Sequence, residues 1–131
     1  MKLFLDDIRD PKDCLGYMYR RIGAQNPIYD EEWVVVRNFQ EFEDAVLKYY
    51  KHITHVSFNH DLADEHYDPA MDDDARYEQV AKGFKEKTGY ECALMMKDHY
   101  EKQNYKLPKI YVHSMNPVGM LKILQVFDLK Y

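Results

Sequence analysis

Three short apolar runs in this chain each stop abruptly at polar residues. Lys2 to Leu5 precedes Asp6-Asp7-Ile8-Arg9, His55 to Phe58 precedes Asn59-His60-Asp61, and Lys109 to Val112 precedes His113-Ser114-Met115-Asn116. A fourth run, Glu32 to Val36, carries Trp33 and three consecutive valines. Short, continuously apolar, β-branched and aromatic runs are the pattern of strands buried on both faces. Lys2–Leu5 and Glu32–Val36 are therefore both expected as central strands.

Stretches of helical spacing separate these runs. Asn38 caps a helix to about Tyr50, with Glu41 three residues on and Phe39, Phe42, Val46 and Tyr49 or Tyr50 on one face. A second helix runs from about Tyr90 to Gln103, with Thr88 as N-cap and Glu91 at the capping-box position. Ala93, Leu94, Met95 or Met96, and Tyr100 turn it inward. A third starts at Asn116 with Pro117 in its first turn and Met120, Leu121, Leu124 and Phe127 as its stripe; Phe127 to Tyr131 is its frayed end or a short edge strand. Strand, helix and strand in succession imply right-handed parallel crossovers.

Two segments break the rhythm. Cys14 to Glu31, with Gly16, Gly23 and Pro27, reads as a loop with one helical turn. Residues 63–86 exceed the usual connection length and leave the His60-Asp61 rim, which predicts a lid or insertion. Its acids, Asp68 and Asp72 to Asp74, lack the spacing of a calcium loop and read as solvated surface. A length of 131 residues and 46% hydrophobic content suit one domain over 1–131.

Composition removes several function classes. A net charge of -5 opposes the phosphate-backbone attraction on which duplex binding relies, although local cations can hold one small phosphate. Cys14 and Cys92 lack a CxxC spacing and read as isolated buried thiols rather than a disulfide or zinc site. No apolar run approaches the ~20 residues of a membrane span, so no membrane partner is expected and a cytoplasmic protein is the simplest reading.

Parallel sheets bind ligands beyond the carboxyl ends of their strands, and the three polar clusters would meet there. Asp6, Asp7 and Asp61 are candidate ligands of Mg²⁺, a hard cation that takes oxygen donors. Two histidines at neighbouring strand ends, His60 beside Asp61 and His113 beside Ser114, form a candidate acid and base pair. Cleavage of a cyclic phosphodiester needs both roles, one group taking a proton from water and the other supporting the departing oxygen. Arg9, Lys87 and the helix start at Thr88 supply the anion side, with Ser114 and Asn116 as further donors; Asn116 also fits as a helix cap. His52, His55, His66 and His99 have no such neighbours and are given no role.

With these residues in place, the chain resembles the response-regulator receiver fold: an acidic pair after strand one, Asp61 after strand three and the hydroxyl of Ser114 after strand four. More closely, it is similar to the cyclic-phosphate processing receiver domain. That likeness rests on Leu5-Asp6-Asp7-Ile8-Arg9, Asn59-His60-Asp61-Leu62, Lys87-Thr88-Gly89-Tyr90-Glu91-Cys92-Ala93 and Val112-His113-Ser114-Met115-Asn116-Pro117. The resemblance implies a flavodoxin-like, three-layer α/β fold with a parallel sheet in the order 2-1-3-4, extended by a fifth strand if the chain end pairs. It also implies a phosphoesterase acting on cyclic phosphates, with His60, His113 and Asp61 catalytic, Asp6, Asp7 and Asp61 as an acidic or metal pocket, and Arg9, Lys87 and Thr88 on phosphate. An ordinary receiver has a lysine after a fifth strand, for which Lys130 is only a stand-in.

Three functions therefore compete. The first is a hydrolase that opens a cyclic phosphate on a nucleotide, an RNA end or a sugar-nucleotide, with or without Mg²⁺. The second is a signalling module phosphorylated on Asp61 with Mg²⁺ on Asp6 and Asp7. The third is a catalytically silent domain that binds a ligand or a protein.

Overall fold

Four strands, β1 (Lys2–Leu5), β2 (Val34–Val36), β3 (His55–Phe58) and β4 (Lys109–Val112), pair in parallel in the order β2-β1-β3-β4. The computed structural model describes residues 1–23, 28–63, 66 and 86–130. Most of the expected lid, with its acidic cluster, lies outside them. Leu5 stands beside Val36 on one side and Phe58 on the other, and Phe58 stands beside Val112, so the strands end level with one another. The polar residues that follow β1, β3 and β4 consequently share one rim.

The helices are α1 (Pro11–Ile22), α2 (Phe39–Tyr49), α3 (Gly89–Lys102) and α4 (Pro117–Val126), with a 3-10 turn at Ile28–Asp30. Strand alternation divides the core in two. Leu3, Leu5, Val56, Phe58 and Val112 point to the face covered by α2, α3 and α4, meeting Phe42, Val46, Cys92, Met96 and Ile123. Phe4 and Tyr111 point the other way, to Cys14 and Met18 of α1 and to Ile28 and Tyr29 of the 3-10 turn. The result is the three-layer, flavodoxin-like α/β fold.

The structure corrects several expectations. Residues 11–22 form a three-turn helix where a loop was expected: Asp10 is the N-cap, Pro11 follows it, and the Asp13 carboxylate accepts from the Asp10 N–H at 2.8 Å. Cys14 and Met18 are its buried positions, and the exposed Gly16 lies within it. β2 is an edge strand, so Val34 is 47% exposed rather than buried on both faces. Leu94 and Leu121 are exposed because the inward stripes are Cys92, Ala93, Met96 and Tyr100 on α3 and Gly119, Ile123, Leu124 and Val126 on α4. Each leucine lies more than 100° around its helix from the middle of that stripe. Among the described residues no fifth strand pairs with β4; Phe127 ends α4 and Asp128 to Lys130 are exposed.

The helix starts follow the sequence more closely. The Asn38 side chain accepts from Glu41 N at 2.9 Å, and Glu41 reaches back to the Arg37 N–H at 3.0 Å. Asn116 accepts from Gly119 N at 3.0 Å. Thr88 occupies the N-cap of α3, but its hydroxyl makes no capping bond. Among the described residues no helix is long and apolar enough to cross a membrane.

Candidate functional site

The site begins with a turn. Asp6 leaves β1 on the same side as Phe4, is almost wholly buried, and folds the next residues around its carboxylate: Oδ1 accepts from the Ile8 and Arg9 N–H groups, both at 2.9 Å. Oδ2 accepts from Arg9 Nε and from His113 Nε2, both at 3.0 Å. Burial opposes the charge, yet these donors and the nearby His113 outweigh it and hold the Asp6 carboxyl down at about 2.

His113 leaves β4 on the same face and is fully buried. Its ring stacks on Phe4 with centroids 4.3 Å apart and planes 6° from parallel. Nδ1 lies 2.6 Å from Ser57 Oγ, which lies 2.6 Å from Tyr29 Oη. Burial pushes the imidazole down to about 4 despite the pull of Asp6, so near neutral pH an uncharged His113 faces an ionised Asp6. α1 secures the backbone here: Tyr17 Oη donates to the His113 carbonyl at 2.6 Å, and Arg21 Nη1 donates to those of Val112 and Ser114 at 2.8 and 2.9 Å.

His60 belongs to the other side of the rim. It too is fully buried, with Nδ1 2.8 Å from Asp61 Oδ1. Its ring lies against Gly119 of α4, where a β-carbon would stand 2.4 Å from the imidazole Cγ. Gly89 allows an equally close approach at the start of α3: its N–H donates to the His60 carbonyl at 2.8 Å, and a β-carbon would meet the Asn59 carbonyl oxygen at 1.8 Å. Asn116 caps α4, as expected, and also donates to Asp61 Oδ1 through Nδ2 at 3.4 Å. The two histidines are thus not paired with each other. Each holds its own aspartate, His113 with Asp6 and His60 with Asp61, and neither ring is open to solvent.

Asp7 is half-buried, with its Oδ1 buried and without a hydrogen-bond partner. Burial and the charges of Asp6 and Asp61 push its carboxyl up to about 6. The three acids therefore sense one another as expected. As a magnesium site they do not fit: both oxygens of Asp6 are filled by protein donors, and among the described residues no three His, Cys, Asp or Glu groups are arranged to hold a metal ion.

The anion candidates are placed less uniformly. Arg9 spends its fork inside the protein, on Asp6, on Tyr17 Oη at 2.9 Å and on Asn59 Oδ1 at 3.2 Å. Lys87 is exposed, with its ammonium 4.2 Å from the Phe39 ring centroid. Thr88 is fully buried with no partner for its hydroxyl. Ser114 is buried, and its Oγ accepts from Asn116 N at 3.2 Å.

Several residues that build the site were not singled out from the sequence. Ser57 and Tyr29 back His113; Arg37 donates to the Asp6 and Arg9 carbonyls at 3.2 and 2.8 Å and to Asp10 Oδ1 at 2.7 Å, tying down the turn after β1. His66, which was given no role, is buried: Nδ1 accepts from Leu62 N at 2.7 Å and Nε2 lies 2.7 Å from the Glu86 carbonyl. Writing the strands in parallel register offers a signal for Ser57, since Phe4, Ser57 and Tyr111 then share a face with Asp6, Asn59 and His113 two residues on.

No curated protein and no solved structure matches the chain. The family model of the cyclic-phosphate processing receiver domain matches residues 1–128, and the whole sheet and all of the rim fall within that match. The chain belongs to the cyclic-phosphate processing receiver domain family.

Proposed function

We propose that this chain is a phosphoesterase that hydrolyses a cyclic phosphate at the carboxyl rim of its sheet. Water adds to phosphorus, one of the two ester P–O bonds breaks, and the departing oxygen receives a proton. The reading is carried by the two separate imidazole–carboxylate pairs at the ends of β1, β3 and β4, His113 with Asp6 and His60 with Asp61. Two proton-handling pairs match the two proton movements of the reaction. Thr88, with its unpartnered hydroxyl at the start of α3, and the exposed Lys87 are the proposed phosphate contacts, together with Asn116 and Ser114. Arg9 serves by shaping the Asp6 turn. The substrate class is a cyclic nucleotide, an RNA end or a sugar-nucleotide, in a cytoplasmic setting.

Phosphate transfer to Asp61 has weaker support. Asn59 is the first residue beyond β3, and Asp61 follows two residues later with Oδ1 between His60 and Asn116.

The test is incubation of the purified protein with nucleoside 2′,3′-cyclic phosphates and a cyclic phosphate of ADP-ribose, in Mg²⁺ or in EDTA, with products identified by mass. Turnover is expected to survive EDTA, because Asp6 is already saturated by protein donors. It should fall by about 10²- to 10⁴-fold in His60→Gln and in His113→Gln. Binding without product from any substrate would overturn the hydrolase reading in favour of a silent binding domain.

A further inference from the structure

We infer that Ser57 and Tyr29 are positioning residues for His113, forming a buried chain that keeps Nδ1 a hydrogen-bond acceptor and commits the Nε2 proton to Asp6. The inference rests on the proposed function only for its effect on turnover; the hydrogen-bond assignment stands on geometry.

The direction of each bond follows from what each group is able to donate. Asp6 receives the Ile8 and Arg9 amides on Oδ1 and Arg9 Nε on Oδ2, all groups that only donate, so the carboxylate is an acceptor throughout. The proton in its contact with His113 is therefore carried by Nε2. In the neutral ring Nδ1 is then left as a lone pair, and Ser57 Oγ, 2.6 Å away, is the group that satisfies it. A hydroxyl that donates its single proton to Nδ1 keeps its own lone pairs free to accept. Tyr29 Oη, at 2.6 Å, donates into them. The chain reads Tyr29 to Ser57 to His113 to Asp6, with every proton pointing the same way.

The remaining contacts make this arrangement hard to leave. A half-turn of the His113 ring about Cβ–Cγ would put carbons where both nitrogens stand and break two hydrogen bonds, and the stack on Phe4 opposes the passage. Tyr29 is stacked on Trp33 with centroids 5.5 Å apart, and the Trp33 indole N–H donates to the Ile28 carbonyl at 3.0 Å. The hydroxyl of Tyr29 is thereby anchored by the aromatic cluster under α1, and aligned hydrogen bonds in such a chain strengthen one another. Ser57 lies in the middle of β3, where a hydroxyl would otherwise be a buried polar group facing an apolar layer.

The test uses the full chain labelled with nitrogen-15. Two-bond proton–nitrogen correlation spectra separate a protonated ring nitrogen from a bare one and show whether the bare one accepts a hydrogen bond. In the wild-type protein His113 should show a protonated Nε2 and a hydrogen-bonded, unprotonated Nδ1. Ser57→Ala should move Nδ1 towards the shift of a nitrogen without a donor. Tyr29→Phe should move it part of the way, and Ser57→Thr should restore it. In the same set kcat on a nucleoside 2′,3′-cyclic phosphate should fall by about tenfold in Ser57→Ala, the size of one lost hydrogen bond, with KM unchanged and recovery in Ser57→Thr. A protonated Nδ1 in the wild type, or the same Nδ1 shift in Ser57→Ala and Tyr29→Phe as in the wild type, overturns the assignment. Shifts that move as expected while kcat stays constant overturn the positioning role. Absence of turnover in the wild type overturns the proposed function, and the nitrogen shifts still decide the assignment. If Ser57→Ala fails to fold, Tyr29→Phe alone carries both readouts.

Discussion

Asp6, Asp7 and His113 pull the stability of the protein in different directions as the pH changes. Asp6 is held at about 2 against an ordinary value of 3.8, so its ionised form contributes about 2 kcal/mol that is present above pH 4 and lost as the pH falls through 2. His113 is held at about 4 against 6.5, so stability falls from pH 6.5 to 4, where the unfolded imidazole takes a proton that the folded one refuses. Asp7 runs the opposite way: folded it takes its proton at about 6, unfolded at 3.8, so acidification through that window stabilises. The last two effects offset one another, and wild-type urea midpoints should change little between pH 6 and 4. Asp7→Asn should be more stable at neutral pH by about 1–2 kcal/mol and should lose stability across that same window. Equal midpoints for variant and wild type at neutral pH would count against this account. The Asp7 carboxyl thus costs the fold stability where it stands. The sequence pointed to all three residues, because acids and histidines directly after apolar runs are visible without a structure. What it hid was the pairing: adjacency suggested two histidines facing each other, whereas strand alternation assigns His113 to the α1 side while His60 packs against α4.

Glycine has opposite meanings in different helices. Gly16 lies in the middle of α1, exposed and with nothing within 4 Å of a β-carbon, so it only weakens the helix. Gly16→Ala should raise stability by about 0.5–1 kcal/mol. Gly89 and Gly119 are places where helices meet the rim, and a methyl group at Gly89 would run into the Asn59 backbone. Gly89→Ala should cost about 2–4 kcal/mol, read from the same urea curves, because backbone cannot yield as a flexible side chain does. α1 was the element misjudged from the sequence, and Gly16 explains why. Gly16, Gly23 and Pro27 together read as turn chemistry, whereas Asp10-Pro11, Asp13 and the four-residue spacing of Cys14, Met18 and Ile22 carry the helix signal. All four strands and the other helices were legible to within a residue or two, since continuous apolar runs and capping residues are local signals. The edge position of β2 was carried only by the strand order that the family resemblance implies, because a strand's neighbours are set by tertiary order and not by its own residues.

At the scale of the whole molecule, the acidic balance of -5 opposes the attraction of a long polyanion along a face. Strand order and level strand ends gather the site, and α1 closes the side on which His113 stands. The hold of Arg21 on the Val112 and Ser114 carbonyls reaches beyond the site. The His113 N–H bonds to Phe58 of β3, so the Val112 carbonyl points away from the sheet, where the amide of a further strand would otherwise meet it. A charged side chain fills that position. The β4 margin is thereby blunted against edge-to-edge association, a standing hazard of open sheets. Arg21→Ala should leave the fold cooperative while increasing self-association, read by light scattering at rising protein concentration, and an unchanged scattering profile would show that the margin is protected by other means. The helix that secures the backbone around His113 would, by the same guanidinium, also keep one molecule from adding its sheet to the next.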